Sequence, residues 1–479
     1  MNIDKIEKYI MKSYHNSSDI ITRKIKIKNN EILYVYLESV SSDDKVSDFL
    51  MKGINYSKKL LTLNLFEQLK NTIPNSHLII ETKLEECFTK LASGFTCIFI
   101  DGENNYISVE TKMQLDRGVT EATSENIIRG PKDSFTENNA INLGLIRKRI
   151  KDKNLWFDEM KIGRRTKTKV TISYISDIAN LNTVKKVKEK LKKIDIDGII
   201  DSGNINDFLI EDKALFPQIR STERPDMACN SLLEGKIVIL VENSPFVLIL
   251  PITINEFLHS AEDYFQKISN VNFTRMIRYF SFMLTIAIPG LYIALTTFIQ
   301  EIIPNELLIS LAVQRDGVPF PTVLELVIMI TTFEILRESD IRLPSSMGAA
   351  ISIVGALILG EAAVSAGIVS PIVIIVVAIT SISGLLFTDI DFVNAIRWWR
   401  LIFIIFSALA GLIGFVIATI IFINKLSSMV YNNVCYLAPF SPLYIESLDD
   451  SVIKLPANKL KYRSSFVTKN ITKLGDKND

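Results

Sequence analysis

The residues that could do chemistry sit where an apolar chain would not be expected to carry them. Between Pro319 and Pro371 the sequence is hydrophobic enough for a bilayer, yet it holds Glu325, Glu334, Arg337, Glu338, Asp340, Arg342 and Glu361. A charged side chain at the centre of a membrane helix costs about 2.5–3.5 kcal/mol on insertion scales. Such groups face a bundle interior or a water-filled path. At helical spacing, Glu325 shares a stripe with Met329 and Thr332, and Glu334, Arg337 and Glu338 cluster roughly opposite, so Arg337 is the expected neighbour of Glu334. Glu325, Glu334, Arg337, Glu338 and Glu361 are therefore the candidate pore or gating residues. Glu361 is read either as a packing carboxylate hydrogen-bonded within the bundle or as part of a wet path for cations.

Other chemistry finds little support. There are 3 histidines and 4 cysteines, scattered without metal-ligand spacing. No phosphate loop or nucleophile elbow is present, so no enzyme, cofactor or metal is expected. The net charge of +1 hides an uneven distribution: residues 1–278 are rich in charge, 279–424 are mostly apolar, and 425–479 are polar and basic.

The elements that must position these residues follow. The expected fold class is an α/β soluble N-terminal region of two similar subdomains, followed by an α-helical polytopic membrane domain. Residues 1–29 read as a polar lead-in, 30–128 as the first α/β subdomain, 129–159 as a connecting segment and 160–260 as the second. Each subdomain shows a strand, helices, a glycine stop (Gly94, Gly235) and a hairpin, turning at Asp101–Asn105 and Glu242–Pro245. Further strands are expected at Glu31–Val40, Thr168–Ile175 and Ile196–Ile200. Helices are expected at Asp43–Lys58, Asn64–Thr72, Leu84–Leu91, Thr183–Ile194 and Met227–Leu233.

Basic segments around Arg129–Ile150, Gly163–Lys169 and Phe216–Asp226 have no interleaved aromatic platform, so nucleic acid is not expected. Inter-domain salt bridging, a subunit interface and lipid headgroups remain open for them. Arg129, Arg147, Arg149, Arg164, Arg165, Arg220, Glu223 and Arg224 are the candidate interface residues.

Residues 270–425 read as the membrane domain and 426–479 as a basic cytoplasmic tail. Met276–Phe298 is long enough to cross, with a kink expected at Pro289-Gly290. Pro321–Leu336 is short for a crossing. Ser345–Ile368 carries a stripe of small residues, Gly348, Ser352, Ala356 and Gly360, suited to close helix packing. Pro371–Phe387 and Leu401–Ile423 complete the expected spans. Without a recognisable signal peptide, and with Arg275 and Arg278 before the first span, the N-terminal region is expected in the cytoplasm. Both chain ends are expected on that side.

RGPKDSFTENNAINLGLIRKRI (Arg129–Ile150), FPQIRSTERPD (Phe216–Asp226) followed by NSLLEGKIVILVE, DGVPFPTVLE (Asp316–Glu325), the run from Ile335 to Pro371 and VVAITSIS (Val376–Ser383) together resemble the A subunits of GerA-type spore germinant receptors. The chain departs at Lys132-Asp133-Ser134, where the family more often has Arg-Glu-Gly. The resemblance implies a multi-pass subunit of the spore inner membrane that works with a transporter-like B subunit and a lipoprotein C subunit. It also implies a homo-oligomer forming an ion channel gated by nutrients. A related A-type protein of the dipicolinate-release machinery, a secondary transporter and a scaffold are the alternatives. No inverted repeat is seen in the apolar half, which disfavours the transporter.

Overall fold

The computed structural model describes residues 2–27, 30–48, 52, 64–73, 77–113, 125, 127–210, 215–342, 360–456, 458–468 and 470–473. The chain divides into two compact units. The first comprises Met1–Glu211, Gln218–Ile252 and Asn458–Asp479, and the second Asp212–Pro217 and Thr253–Ala457.

The first unit holds two antiparallel sheets of the same design. The first contains β1 (Ile20–Ile27), β2 (Asn30–Leu37), β3 (Leu78–Glu81), β4 (Phe95–Ile100) and β5 (Tyr106–Glu110) in the order β1-β2-β4-β5-β3. The second contains β6 (Leu155–Ile162), β7 (Thr168–Ile175), β8 (Arg220–Thr222), β9 (Ile237–Val241) and β10 (Val247–Leu250) in the order β6-β7-β9-β10-β8. The repeated order makes the two subdomains alike.

Side-chain alternation along β2 serves two cores. Leu33, Val35 and Leu37 join one cluster, and Ile32 and Tyr34 join the other, as period-2 geometry requires. Helix α1 (Ile3–Ser13) covers the first of these faces through Ile3, Ile6 and Ile10, with Tyr14 following. Its spacing of three and four residues is that of an amphipathic helix. The expected polar lead-in over 1–29 is thus corrected: it is α1 and β1, and the many lysines lie on their outer faces. Helix α2 (Leu65–Thr72) packs Phe66 and Leu69 on the second face. Helix α3 (Leu84–Ala92) is followed by Gly94 at φ +85°.

In the second subdomain, α4 (Asn139–Arg149) is capped by Asn138, whose Oδ1 accepts from Ala140 N at 2.9 Å. Helices α5 (Leu181–Lys192), α6 (Ser202–Leu209) and α7 (Pro225–Leu233) complete it. Gly235 after α7 has φ +88°, the counterpart of Gly94. Two expectations change here. Ile196–Ile200 forms no strand; side chains hold it instead, with Ile199 N donating to Thr166 Oγ1 at 3.1 Å and Thr168 Oγ1 to Ile199 O at 2.7 Å. Arg220–Thr222, within the basic segment Phe216–Asp226 for which no strand was expected, pairs with β10 as β8. Of the helix expected at Asp43–Lys58, residues 43–48 are helical, and much of the rest lies outside the described residues.

The basic tail is also folded. Arg463 Nε donates to Leu233 O at 2.7 Å, its Nη1 donates to Thr472 O at 2.6 Å, and Lys473 Nζ pairs with Glu234 at 2.7 Å. These cations answer carbonyls and a carboxylate of the first unit rather than forming a free basic strip.

The second unit is helical: α8 (Ile268–Ile293), running into a wide turn at Ala294–Phe298, then α9 (Asn305–Arg315), α10 (Thr322–Arg342), α11 (Pro371–Gly384) and α12 (Ile390–Ser428). Helix α8 continues through Pro289-Gly290, and its departure from α geometry comes at Ala294–Phe298. Helix α10 is longer than expected, about 31 Å at 1.5 Å per residue.

The last expected span, Leu401–Ile423, is corrected most. Helix α12 breaks at Ala410-Gly411, where Gly411 has φ +58° and ψ −135°. The chain then folds back. Ring centroids of Trp399 and Phe422 are 4.9 Å apart and those of Phe403 and Phe415 5.4 Å apart, whereas a straight helix would put Trp399 and Phe422 about 35 Å apart. Residues 390–409 and 412–428 are therefore two arms of a helical hairpin. A Cβ at position 411 would lie 2.6 Å from Phe298 Cγ, so glycine is required by both dihedral angle and space.

Candidate functional site

Glu325 stands on the first turn of α10 and is fully buried. Its Oε2 accepts from Ser370 N at 2.9 Å and from Ser370 Oγ at 2.8 Å. Ser370 immediately precedes α11, so the carboxylate rests on a helix N-terminus, where a negative charge is stabilised. Arg315 of α9 lies 3.7 Å from Oε1. Leu326, Ile293, Val369 and Val373 pack in the same apolar cluster of the unit. The carboxylate joins three helices by its oxygens.

Glu334 lies two turns and more further along α10. Arg400 of α12 donates from Nη2 to its Oε1 at 2.6 Å, and Arg397 Nε stands 2.9 Å from Oε2 as an ion pair. Arg337 shares a cavity wall with these groups and with Thr285 and Thr380. The expected local pairing of Arg337 with Glu334 is replaced by pairing from another helix.

Glu361 is exposed and, among the described residues, has no hydrogen-bond or ion-pair partner. Glu338 is exposed on α10. Gly348, Ser352 and Ala356 lie outside the described residues. A Cβ on Gly360 would meet Ile374 only at ordinary contact, 3.9 Å.

Sequence reasoning missed a charged network around the first turns of α8. Arg275, fully buried, donates from Nε to Asp263 Oδ2 at 2.9 Å and from Nη1 to Asp450 Oδ1 at 2.8 Å. Arg278 donates from Nη1 to Asp263 Oδ2 at 2.9 Å. Burial raises the Asp263 pKa, but Arg278 and Arg275 outweigh it and hold the carboxyl below its usual range. His259, buried beside them against Ser451 O at 2.8 Å, has its pKa lowered to about 3 by burial and by Arg275. The sequence signal was the pair Arg275 and Arg278, which read only as flanking cations.

Four of the candidate interface residues in the first unit are internal. Arg147 donates to Asp19 Oδ2 at 3.0 Å and to Leu155 O at 3.0 Å, with its guanidinium 4.6 Å from the Phe157 ring. It fastens Asp19 of the first subdomain to the second. Arg224 donates to Pro131 O at 2.9 Å and Asp226 at 2.8 Å. Arg220 pairs with Glu125 at 3.4 Å, and Glu223 accepts from Glu125 N at 3.2 Å. Burial of all four within one chain removes them from its surface. Arg149 is half-buried and pairs with Asp133 at 2.6 Å, so the residue that departs from the family pattern has a partner. Arg129 is exposed, as are Arg164, which pairs with Asp195 at 2.6 Å, and Arg165, 3.9 Å from Asp197.

Near Arg147 lies a polar cavity of about 340 Å³. Asp19, Glu38, Glu137, Glu159 and Glu242 line it with Lys169 and the N-terminus of α4. Burial, then Asp43, raises the pKa of Glu38 there. Its carboxylates favour a small polar solute carrying positive charge.

An α/β region is followed by a helical region with apolar helices and buried ion pairs, the arrangement of a membrane protein. Ile268–Phe298 is apolar and long enough to cross a bilayer by length and composition, and Ile390–Ser428 is more apolar still but is divided at Gly411 into the two arms of the hairpin. Residues 8–466 match the family described as Bacillus/Clostridium GerA spore germination protein, and the chain belongs to that family. It is 37% identical over 451 residues to spore germination protein KA of Bacillus subtilis (strain 168), covering 93% of this chain and 83% of that one. It is 34% identical over 449 residues to spore germination protein XA of Bacillus anthracis, covering 90% and 88%. GerLA of Bacillus cereus is 30% identical over 471 residues, covering 97% and 96%. A crystal structure of the N-terminal domain of the A subunit of the Bacillus megaterium spore germinant receptor GerK3 aligns at 33% identity and a TM-score of 0.41. It covers 52% of this chain and 94% of that one.

Proposed function

We propose that this chain is the A-type subunit of a nutrient germinant receptor of the spore inner membrane, and that copies of it assemble into an ion channel opened by the nutrient. The observation that carries the reading is the placement of Glu325 and the Glu334–Arg400 pair among apolar helices, a costly arrangement that an anchor does not need. A transporter-like B subunit and a lipoprotein C subunit are its partners in this reading. Folding of residues 458–473 with the N-terminal sheets supports both chain ends lying on one side of the membrane. Arg275 and Arg278 favour the cytoplasm for that side. The purified chain, reconstituted in liposomes with its B and C partners, should release entrapped ions when the nutrient is added. Absence of nutrient-dependent flux, with assembly intact, would leave a scaffold role.

A further inference from the structure

The polar cavity beside Arg147 lies wholly within the first unit, where the two subdomains meet. Asp19 and Glu38 line it from the first subdomain, Glu137 from the approach to α4, and Glu159 and Glu242 from the second sheet. Arg147 already takes Asp19 at 3.0 Å. Lys169 faces the other four carboxylates. Glu38 shows how closely they crowd: burial first, then Asp43, Glu159 and Asp19 raise its pKa against the opposing pull of Lys169. The N-terminus of α4 asks for no anion, because Asn138 Oδ1 accepts from Ala140 N at 2.9 Å and from Ile141 N at 3.4 Å. A second observation points the same way. Asn139 lines the cavity and is 6% exposed. Its Nδ2 donates to Thr171 Oγ1 at 2.9 Å, while its Oδ1 has no hydrogen-bond partner. With Nδ2 committed to the sheet, Oδ1 is the acceptor that Asn139 offers to the cavity. Thr171 stands directly opposite Glu159 in the β6–β7 ladder, and directly opposite residues share a face, so Asn139 sits beside Glu159. A buried polar oxygen left bare is rare in folded proteins.

We infer that this cavity binds a linear alkyl diamine or triamine, with its ammonium groups among the four glutamates. A single water needs about 10–15 Å³, so a volume of about 340 Å³ takes a small molecule rather than one ion. Among the described residues no three carboxylates converge as a metal ion requires. Charges spaced along a chain meet separated carboxylates one by one. Each ammonium offers three N–H donors and no acceptor, which matches a wall of carboxylates and a bare amide oxygen. Ala140 and Leu143, three residues apart on α4, give the methylenes an apolar strip. Glu38 belongs to one subdomain and Glu159 to the other, so the bound amine bridges the two and offsets the repulsion between their carboxylates. The site is separate from the helical unit and stands whether or not the chain conducts ions.

The test is calorimetric titration of spermidine into the full-length purified chain in nanodiscs of zwitterionic lipid, at fixed ionic strength. One spermidine should bind per chain, saturably. Glu137→Gln and Glu159→Gln should each weaken binding about tenfold, the loss of one hydrogen bond to a charged group. Magnesium at the same ionic strength should not displace the amine. Carbodiimide coupling of bound spermidine to the wild-type chain, mapped by mass spectrometry, should mark Glu38, Glu137, Glu159 or Glu242, and that measurement stands even where a variant does not fold. Absence of saturable binding overturns the proposal, as does binding undiminished in both variants. Coupling confined to other carboxylates overturns it too. Displacement by magnesium makes the cavity a metal site instead, and also overturns it.

Discussion

Gly411→Ala isolates the turn on which the helical hairpin depends. The backbone at this position, φ +58° and ψ −135°, is one that side-chain-bearing residues adopt at a cost of about 1–3 kcal/mol. The added methyl would also lie 2.6 Å from Phe298 Cγ and 2.7 Å from its Cβ. Overpacking of this kind costs about 1–3 kcal/mol. Together these amount to about 2–6 kcal/mol. A double-mutant cycle with Phe298→Ala isolates the part of the cost that comes from the ring. Removing the ring relieves the contacts with Cγ and Cδ2 and leaves the dihedral cost and the contact with Cβ, so the double variant should be more stable than the sum of the single effects by about 1–2 kcal/mol. Unfolding in detergent, followed by tryptophan fluorescence, reads the effect, because Trp399 packs across the hairpin on Phe422. A Gly411→Ala protein as stable as wild type would refute the fold-back and restore a single straight helix. Strict additivity in the cycle would refute the contact with Phe298.

Two further outcomes follow from the buried charges. Arg147→Leu strands Asp19, which is 3% exposed, and should destabilise the first unit by about 3–5 kcal/mol; adding Asp19→Asn should recover part of that loss, and no recovery would count against the pair. For His259, the folded pKa near 3 lies below the ordinary 6.5. The unfolded chain therefore binds the extra proton, and stability falls as pH drops from 6.5 towards 3, by up to about 1.4 kcal/mol per pH unit. His259→Gln should flatten unfolding profiles between pH 6.5 and 4.5, above the range in which Asp263 loses its own contribution as it protonates. An unchanged slope would place His259 in water.

What the sequence made legible was local. The hairpins at Asp101-Gly102 and Glu242–Pro245, the glycine stops at Gly94 and Gly235 and the repeated plan of the two sheets all rest on near neighbours. Buried charges were found as residues but not as pairs. Glu334 takes Arg397 and Arg400 from another helix, and Arg275 takes Asp450 from far along the chain, so helical spacing pointed to the wrong partner in the first case and to none in the second. The reversal at Gly411 was hidden because hydropathy measures the length of an apolar run, and Leu401–Ile423 runs across the turn without a charged residue. In α1, lysines on the outer face masked the stripe of Ile3, Ile6 and Ile10.

The central claim, that this chain conducts ions as part of a germinant receptor, is tested most directly in spores. Ion release after nutrient addition is measured in spores lacking the chain and in spores complemented with wild type or with Glu361→Gln at equal abundance. The account predicts no release without the chain, full release with wild type, and slower or differently selective release with Glu361→Gln, the exposed carboxylate of the proposed pore set. Wild-type release from spores lacking the chain, for each nutrient to which wild-type spores respond, would contradict it.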